Sequence, residues 1–162
     1  MTFFRILFYG LVGVAALQSL FYYPQLPDVV ASHFDGSGSP DGWSGRTTFI
    51  AIYLAIVVLV IAIFDGLPRW SGQSGRLRWN LPHRDYWLAP ERRAQTLAYF
   101  CQQMLIMGCA HLALAIYTIQ LVIIANLSAG PRLGDSIFWA LGLYFAFLVI
   151  WLLRLLLHFR KP

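Results

Sequence analysis

Four long apolar stretches dominate this sequence and restrict the folds open to it. They cover residues 3–23, 47–65, 95–127 and 136–157. Each is near or above the ~20 residues that cross a ~30 Å hydrocarbon layer as a helix. Because lipid offers no hydrogen-bond partner to the backbone, such stretches must be helical. The sequence therefore predicts an all-α membrane protein: an antiparallel bundle of four transmembrane helices that forms a single domain over residues 1–162.

The distribution of Lys and Arg predicts the orientation of this bundle. Of the 12 Lys and Arg residues, all except Arg46 and Arg132 lie near the termini or in the connector between the second and third stretches. Because positive residues are retained on the cytoplasmic side, both termini are expected in the cytoplasm and loop 24–46 on the outer face. The net charge of +5 follows from this bias, and no nucleic-acid partner is expected.

Loop 24–46 is rich in residues that fix turns. Pro24 and Pro27 end the first helix, and the segment DGSG at 35–38 accepts positive φ angles. The segment SPDG at 39–42 is typical of a second tight turn. We therefore expect a compact, folded loop, with the indole of Trp43 at the lipid interface.

The polar side chains of this loop allow three interpretations. His33, Asp35 and Asp41 can hold a divalent metal, transfer a proton, or hydrogen-bond to one another and to turn amides. The spacing is weak for a metal site, so no metal is expected, and the carboxylates are expected to orient His33 and satisfy turn amides. If the loop contacts a partner, the surface is expected to include His33, Phe34, Asp35, Pro40, Asp41 and Trp43.

Polar residues inside the apolar stretches are functional candidates, because they are costly in lipid. The intramembrane candidates are Gln18, His111 and Gln120. We expect His111 to hydrogen-bond to Gln18 or to a backbone carbonyl; axial haem or copper ligation is the alternative. Asp65 is expected to form an interfacial ion pair of small worth with Arg69 or Arg154.

The connector before the third stretch is basic and aromatic. Pro90 followed by Glu91 predicts the start of a helix. Four arginines are expected at the level of anionic lipid headgroups: Arg76, Arg78, Arg92 and Arg93.

The two longest loops resemble a known bacterial family. The segments LPDVVASHFDGSGSPDGWSGR and NLPHRDYWLAPERRAQTLAYF are similar to an uncharacterised membrane domain that also forms the first part of SdpI-type immunity proteins. The family pattern L-P, H-[FW]-[ND] and G-x-P-D-G-[WY] maps onto Leu26, Pro27, His33, Phe34, Asp35, Gly38, Pro40, Asp41, Gly42 and Trp43. The resemblance implies a bacterial cytoplasmic (inner) membrane protein with a loop module, and it implies no known reaction.

These patterns favour a non-enzymatic membrane protein whose loop 24–46 engages a protein or peptide partner. An accessory subunit of a larger membrane complex, or a small transporter or cofactor-binding protein that uses His111, is the alternative. A membrane enzyme built on His33, Asp35 and Asp41 is a third class, but the sequence has no phosphate loop, H-E-x-x-H motif or nucleophile–base pair. No cofactor is expected, and the lipid bilayer is the expected constant partner.

Overall fold

The computed structural model describes residues 2–74 and 82–160. Its elements, in chain order, are α1 Thr2–Tyr22, β1 Val29–Phe34, β2 Pro40–Gly45, α2 Arg46–Ile61, a π-helical turn Ala62–Gly66, α3 Leu67–Ser74, α4 Arg84–Trp87, α5 Pro90–Leu127 and α6 Ser136–Arg160. Within these residues, four helical segments are long and apolar enough to cross a membrane: Phe3–Tyr22, Arg46–Trp70, Pro90–Leu127 and Ser136–Arg160. The chain thus has the architecture of a multi-pass membrane protein.

The observed helices extend beyond the apolar stretches of the sequence. The third helix begins at Pro90 instead of residue 95, with Glu91 in its first turn, as the Pro-Glu start signal indicated. At 38 residues, α5 is about 57 Å long and extends well beyond the hydrocarbon layer. The second helix passes residue 65 through the π-helical turn into α3, and α6 continues to Arg160.

The central core lies between α1, α2 and α5. Phe8, Tyr53 and Leu112 are fully buried there. Gly108 of α5 permits the close approach, because a Cβ at this position would lie 2.6 Å from a ring carbon of Phe8 and 2.8 Å from Cβ of Phe64. Small residues at helix contacts serve this purpose in membrane proteins, where close packing drives association.

Helix α6 packs mainly against α5 and exposes most of its apolar side chains. Trp139 is 78% exposed and Leu143 is 74% exposed. In a membrane these side chains contact lipid, so their exposure is compatible with a stable helix. The molecule therefore has a three-helix core, with α6 added on one side.

The two ends of the molecule differ in character. At the hairpin end, strands β1 and β2 lie over the ends of α1 and α5 and the beginning of α2. At the opposite end, called the basic end, the indole N–H of Trp87 in α4 donates to the carbonyl of Phe159 near the end of α6, at 3.2 Å. The all-α prediction was incomplete, because it omitted the two-stranded sheet.

Candidate functional site

Loop 24–46 folds into an antiparallel hairpin. Strand β1 pairs with β2 in a register that sets Val30 opposite Ser44 and Ala31 opposite Trp43, with irregular pairing around His33. The loop is compact, as expected, but the SPDG segment does not form the predicted second turn. Its Pro40 instead begins β2, a position where the missing N–H of proline is tolerated.

The side chain of Asp35 stabilises the turn between β1 and β2. Its carboxylate accepts hydrogen bonds from the N–H groups of Ser37 and Ser39, at 2.8 and 3.0 Å, and from the Ser37 hydroxyl at 2.7 Å. These donors lower the pKa of Asp35 below its ordinary value of 3.8. Asp35 therefore remains ionised near neutral pH and holds the turn closed.

His33 and Asp41 form an exposed pair across the two strands. The His33 Nδ1 atom lies 2.5 Å from Asp41 Oδ1, and the two side chains are 74% and 48% exposed. Gly42, opposite His33, makes room for the imidazole, since a Cβ there would lie 2.9 Å from the His33 Cβ. The two carboxylates thus have separate contacts: Asp41 meets the imidazole and Asp35 meets turn amides.

Asn126 of α5 covers the outer edge of β1. Its side-chain Oδ1 accepts from the N–H of Ala31 at 2.7 Å, and its Nδ2 donates to the carbonyl of Ala31 at 2.9 Å. Both residues are buried. A carboxamide is chemically a peptide group, so Asn126 replaces the neighbouring strand that Ala31 would otherwise need. Sequence reasoning did not select Asn126, although an isolated amide near the end of an apolar helix is a usable signal.

The hairpin is also attached at its tip and along its underside. The N–H of Leu133, in the loop between α5 and α6, donates to the carbonyl of Gly38 at 2.9 Å. Gly38 has a φ of 80°, which glycine adopts readily. The underside belongs to a second core, the hairpin-end core, formed by Leu26, Val30, Phe49, Ile50, Val122 and Ile123, with Phe34 and Leu133 packed against it.

The residues expected at a partner surface therefore have different positions. His33, Asp41 and Trp43 are exposed, whereas Phe34 packs against the hairpin-end core and Pro40 is half-buried. Trp43 pairs with Ala31, whose polar backbone groups point away from β2 towards Asn126. Ala31 and Trp43 therefore form a non-hydrogen-bonded antiparallel pair, in which the N–H and C=O groups of both residues point away from the partner strand. The backbone groups of Trp43 thus point away from β1. Within residues 2–74 and 82–160, nothing hydrogen-bonds to them, so β2 presents an open edge.

Inside the helices, Gln18 joins three spans. It donates to the Gln120 side chain at 2.8 Å and to the carbonyl of Ile116 at 3.1 Å, and it accepts from the hydroxyl of Tyr53 at 2.8 Å. Gln120 in turn donates to the hydroxyl of Tyr22 at 3.1 Å. These four polar side chains thus satisfy one another between α1, α2 and α5.

His111 lies outside this network. Its ring lies 2.8 Å from the Tyr144 hydroxyl on α6 and 3.0 Å from the carbonyl of Met107 on its own helix. A bond from His111 to another helix was expected and is present, but its partner is Tyr144. Neither Gln18 nor a carbonyl of another helix is the observed partner, because Gln18 contacts Ile116 and Gln120 farther along α5. In the described part of the chain, no three His, Cys, Asp or Glu side chains converge as a metal site would require.

Asp65 lies in the π-helical turn and is buried among protein side chains. Its carboxylate accepts from the Tyr9 hydroxyl at 2.7 Å and from the Arg69 guanidinium, and it lies 3.6 Å from the guanidinium of Arg5. The expected partner Arg69 is present, while Arg154 is not in this cluster. Because Asp65 is 4% exposed, loss of one partner costs more than at a surface ion pair.

Two of the four arginines assigned to lipid headgroups are described by the structure. Arg92 lies over the ring of Tyr86 at 4.0 Å, and Arg93 is exposed. Arg76 and Arg78 lie outside the described residues.

Comparison with known proteins finds one family similarity. Residues 10–60 match a family described as a domain of unknown function (DUF1648). The matched segment runs from within α1, through the hairpin, to near the end of α2. No curated protein and no solved structure matches the chain. The hairpin therefore lies at the centre of the segment that this chain has in common with the family.

Proposed function

We propose that this protein is a non-enzymatic protein of the bacterial inner membrane whose hairpin binds an extended segment of a protein or peptide partner. The open edge of β2 carries the proposal. An exposed strand edge pairs readily with another chain, and adding a strand to it is a recurring way to bind a peptide. The first strand cannot serve in this way at its centre, because Asn126 occupies the backbone groups of Ala31.

The attachment of the hairpin supports this role. Asn126, Leu133 and the hairpin-end core hold the hairpin in three places. A strand edge that is already ordered loses little conformational entropy when a partner binds, so more of the contact energy remains as affinity. The exposed indole of Trp43 and the exposed His33–Asp41 pair supply side-chain contacts beside the backbone edge.

The charge distribution supports an outward-facing hairpin. If all four candidate spans cross the bilayer, the two ends of the chain lie in one compartment. The excess of Lys and Arg at the basic end favours the cytoplasm for that compartment. The hairpin then faces outward, where an immunity-like protein would meet its partner.

This orientation predicts which engineered cysteines are accessible from outside the cell. Gly36→Cys is placed in the hairpin turn, where a Cβ has open space, and Asp85→Cys is placed at an exposed position of α4. The free Cys101 and Cys109 are first replaced by Ser and Ala. A membrane-impermeant maleimide should label Gly36→Cys in intact cells and both sites after permeabilisation. Labelling of Asp85→Cys alone in intact cells would reverse the orientation.

Photo-crosslinking tests the partner surface. A photoreactive phenylalanine at Trp43 should capture a discrete protein or peptide in native membranes, while the same residue at the lipid-exposed Phe145 should not. Replacing His33 or Asp41 by Ala should then reduce capture about tenfold, as expected when one hydrogen bond to a charged group is lost. Asp135→Ala removes a carboxylate from the same end without touching the hairpin and should leave capture unchanged. Equal capture at Trp43 and Phe145 would contradict the proposal.

A further inference from the structure

A polar cavity lies between α5 and α6 at the basic end, far from the hairpin. It has a volume of about 560 Å³. Its polar lining consists of Tyr99 and Gln103 from α5 and Trp151, Arg154 and His158 from α6. None of the contacts assigned to the hairpin involves these residues, so the cavity is unrelated to the proposed partner surface.

Two polar groups of this cavity, the Trp151 indole and the Arg154 guanidinium, are hydrogen-bond donors only, and one of them is buried without a partner. The indole Nε1 of Trp151 is shielded from solvent and meets no acceptor. Arg154 supplies a permanent cation. The ion pairs within residues 2–74 and 82–160 involve other basic residues, so Arg154 has no carboxylate partner there. An indole N–H and a guanidinium in one cavity are matched by an anionic ligand with several acceptor oxygens.

A smaller cavity extends the site towards α4. It has a volume of about 280 Å³, and it shares Tyr99 and His158 with the larger one. The imidazole of His158 stacks on Tyr99 at 3.9 Å between ring centroids, which holds it between the two cavities. Arg92 lines the smaller cavity, so a second guanidinium flanks the same site.

The depth of the site corresponds to the headgroup boundary of a bilayer. Along α6, Arg154 lies roughly 27 Å from Ser136, close to the thickness of one hydrocarbon layer. The remaining lining of the larger cavity is apolar and includes Ile106, Phe147 and Ile150. A cation at the boundary with apolar residues on the membrane side provides separate surfaces for a phosphate and for an acyl chain.

We propose that this cavity binds the phosphate group of an anionic phospholipid. In this arrangement Arg154 contacts the phosphate oxygens, Trp151 donates its indole N–H, and an acyl chain lies along Phe147 and Ile150. Arg92 contacts the outer part of the headgroup. The site does not depend on which compartment the basic end faces.

Lipid retention by the full chain tests this proposal. The purified protein is placed in mixed vesicles or nanodiscs of phosphatidylglycerol and phosphatidylcholine, and retained lipid is counted by native mass spectrometry after release. The chain should retain phosphatidylglycerol in preference to phosphatidylcholine. Arg154→Gln should lower this retention about tenfold, since a charge-assisted contact is lost. Trp151→Phe, which keeps the ring and removes the N–H, should lower it by a smaller factor.

Arg93→Gln is the matched control, because Arg93 is an exposed arginine at the same end that lines neither cavity. It should retain as much phosphatidylglycerol as the unmodified chain. Addition of inorganic phosphate distinguishes the two sources of a phosphate group. Retention that resists excess inorganic phosphate supports a lipid ligand, whereas displacement of the lipid by phosphate alone would assign the site to a free anion and overturn the proposal. Equal loss in the Arg154 and Arg93 variants would also overturn it.

Discussion

Replacing Asn126 by leucine is expected to detach the hairpin from α5 while the helices remain folded. The change leaves the N–H and carbonyl of Ala31 buried without partners. An unsatisfied buried polar group costs about 1–3 kcal/mol. For two such groups, hairpin opening should become more favourable by roughly 2–6 kcal/mol. The helices keep their own backbone hydrogen bonds, so the effect should be local.

Hydrogen–deuterium exchange measures this opening directly. Amides of Val29–Phe34 and Pro40–Gly45 should lose protection in Asn126→Leu, while those of α2 should not. Ile124→Ala is a suitable control, because it truncates an exposed side chain two residues away on the same helix. Unchanged protection of both strands in Asn126→Leu would show that the carboxamide does not hold the hairpin.

Replacing Gly38 by alanine is expected to displace the tip of the hairpin. Its φ of 80° is unfavourable for alanine by about 1–2 kcal/mol. In addition, the new Cβ would lie 2.3 Å from the carbonyl oxygen of Leu133, which is a backbone atom and cannot rotate away. The tip must move, and the hydrogen bond between Leu133 and Gly38 is then lost. We expect a total destabilisation of about 2–4 kcal/mol.

Gly36→Ala provides a matched control in the same turn. A Cβ at Gly36 meets no atom within 4 Å, and Gly36 does not have a positive φ. Thermal unfolding in detergent, together with exchange of amides in 35–40 and 128–135, should change strongly in Gly38→Ala and little in Gly36→Ala. Equal effects of the two substitutions would mean that the turn responds only to the loss of glycine flexibility and that contact with Leu133 is unimportant.

These two predictions connect the proposed function to the fold. If the hairpin binds a partner because it is held in place, Asn126→Leu and Gly38→Ala should weaken capture at Trp43 without altering any residue of the exposed surface. His33→Ala and Asp41→Ala should instead weaken capture while amide protection in the hairpin is kept. The two groups of variants therefore separate the attachment of the hairpin from its recognition surface.

Several features of this protein follow from the sequence alone, because their causes are local. The four spans depend on the summed hydropathy of neighbouring residues, which a continuous stretch of sequence already contains. The start of α5 follows from the fixed φ of Pro90 and the acidic charge of Glu91. The turn at 35–38 follows from glycine conformations and from the reach of the Asp35 side chain to amides two and four residues ahead.

Other features were decided only by the tertiary structure. The segments VVASHF and PDGWSG lack a regular alternation of apolar residues, and β1 exists beside α5 because Asn126 completes its hydrogen bonds. The partners of Gln18 and His111, and the burial of Asp65, depend on how each helix is rotated about its axis. That rotation is set by packing between residues far apart in sequence, such as Phe8 against Gly108. Local sequence patterns identify the polar groups of a helix, but distant contacts determine which of them meet.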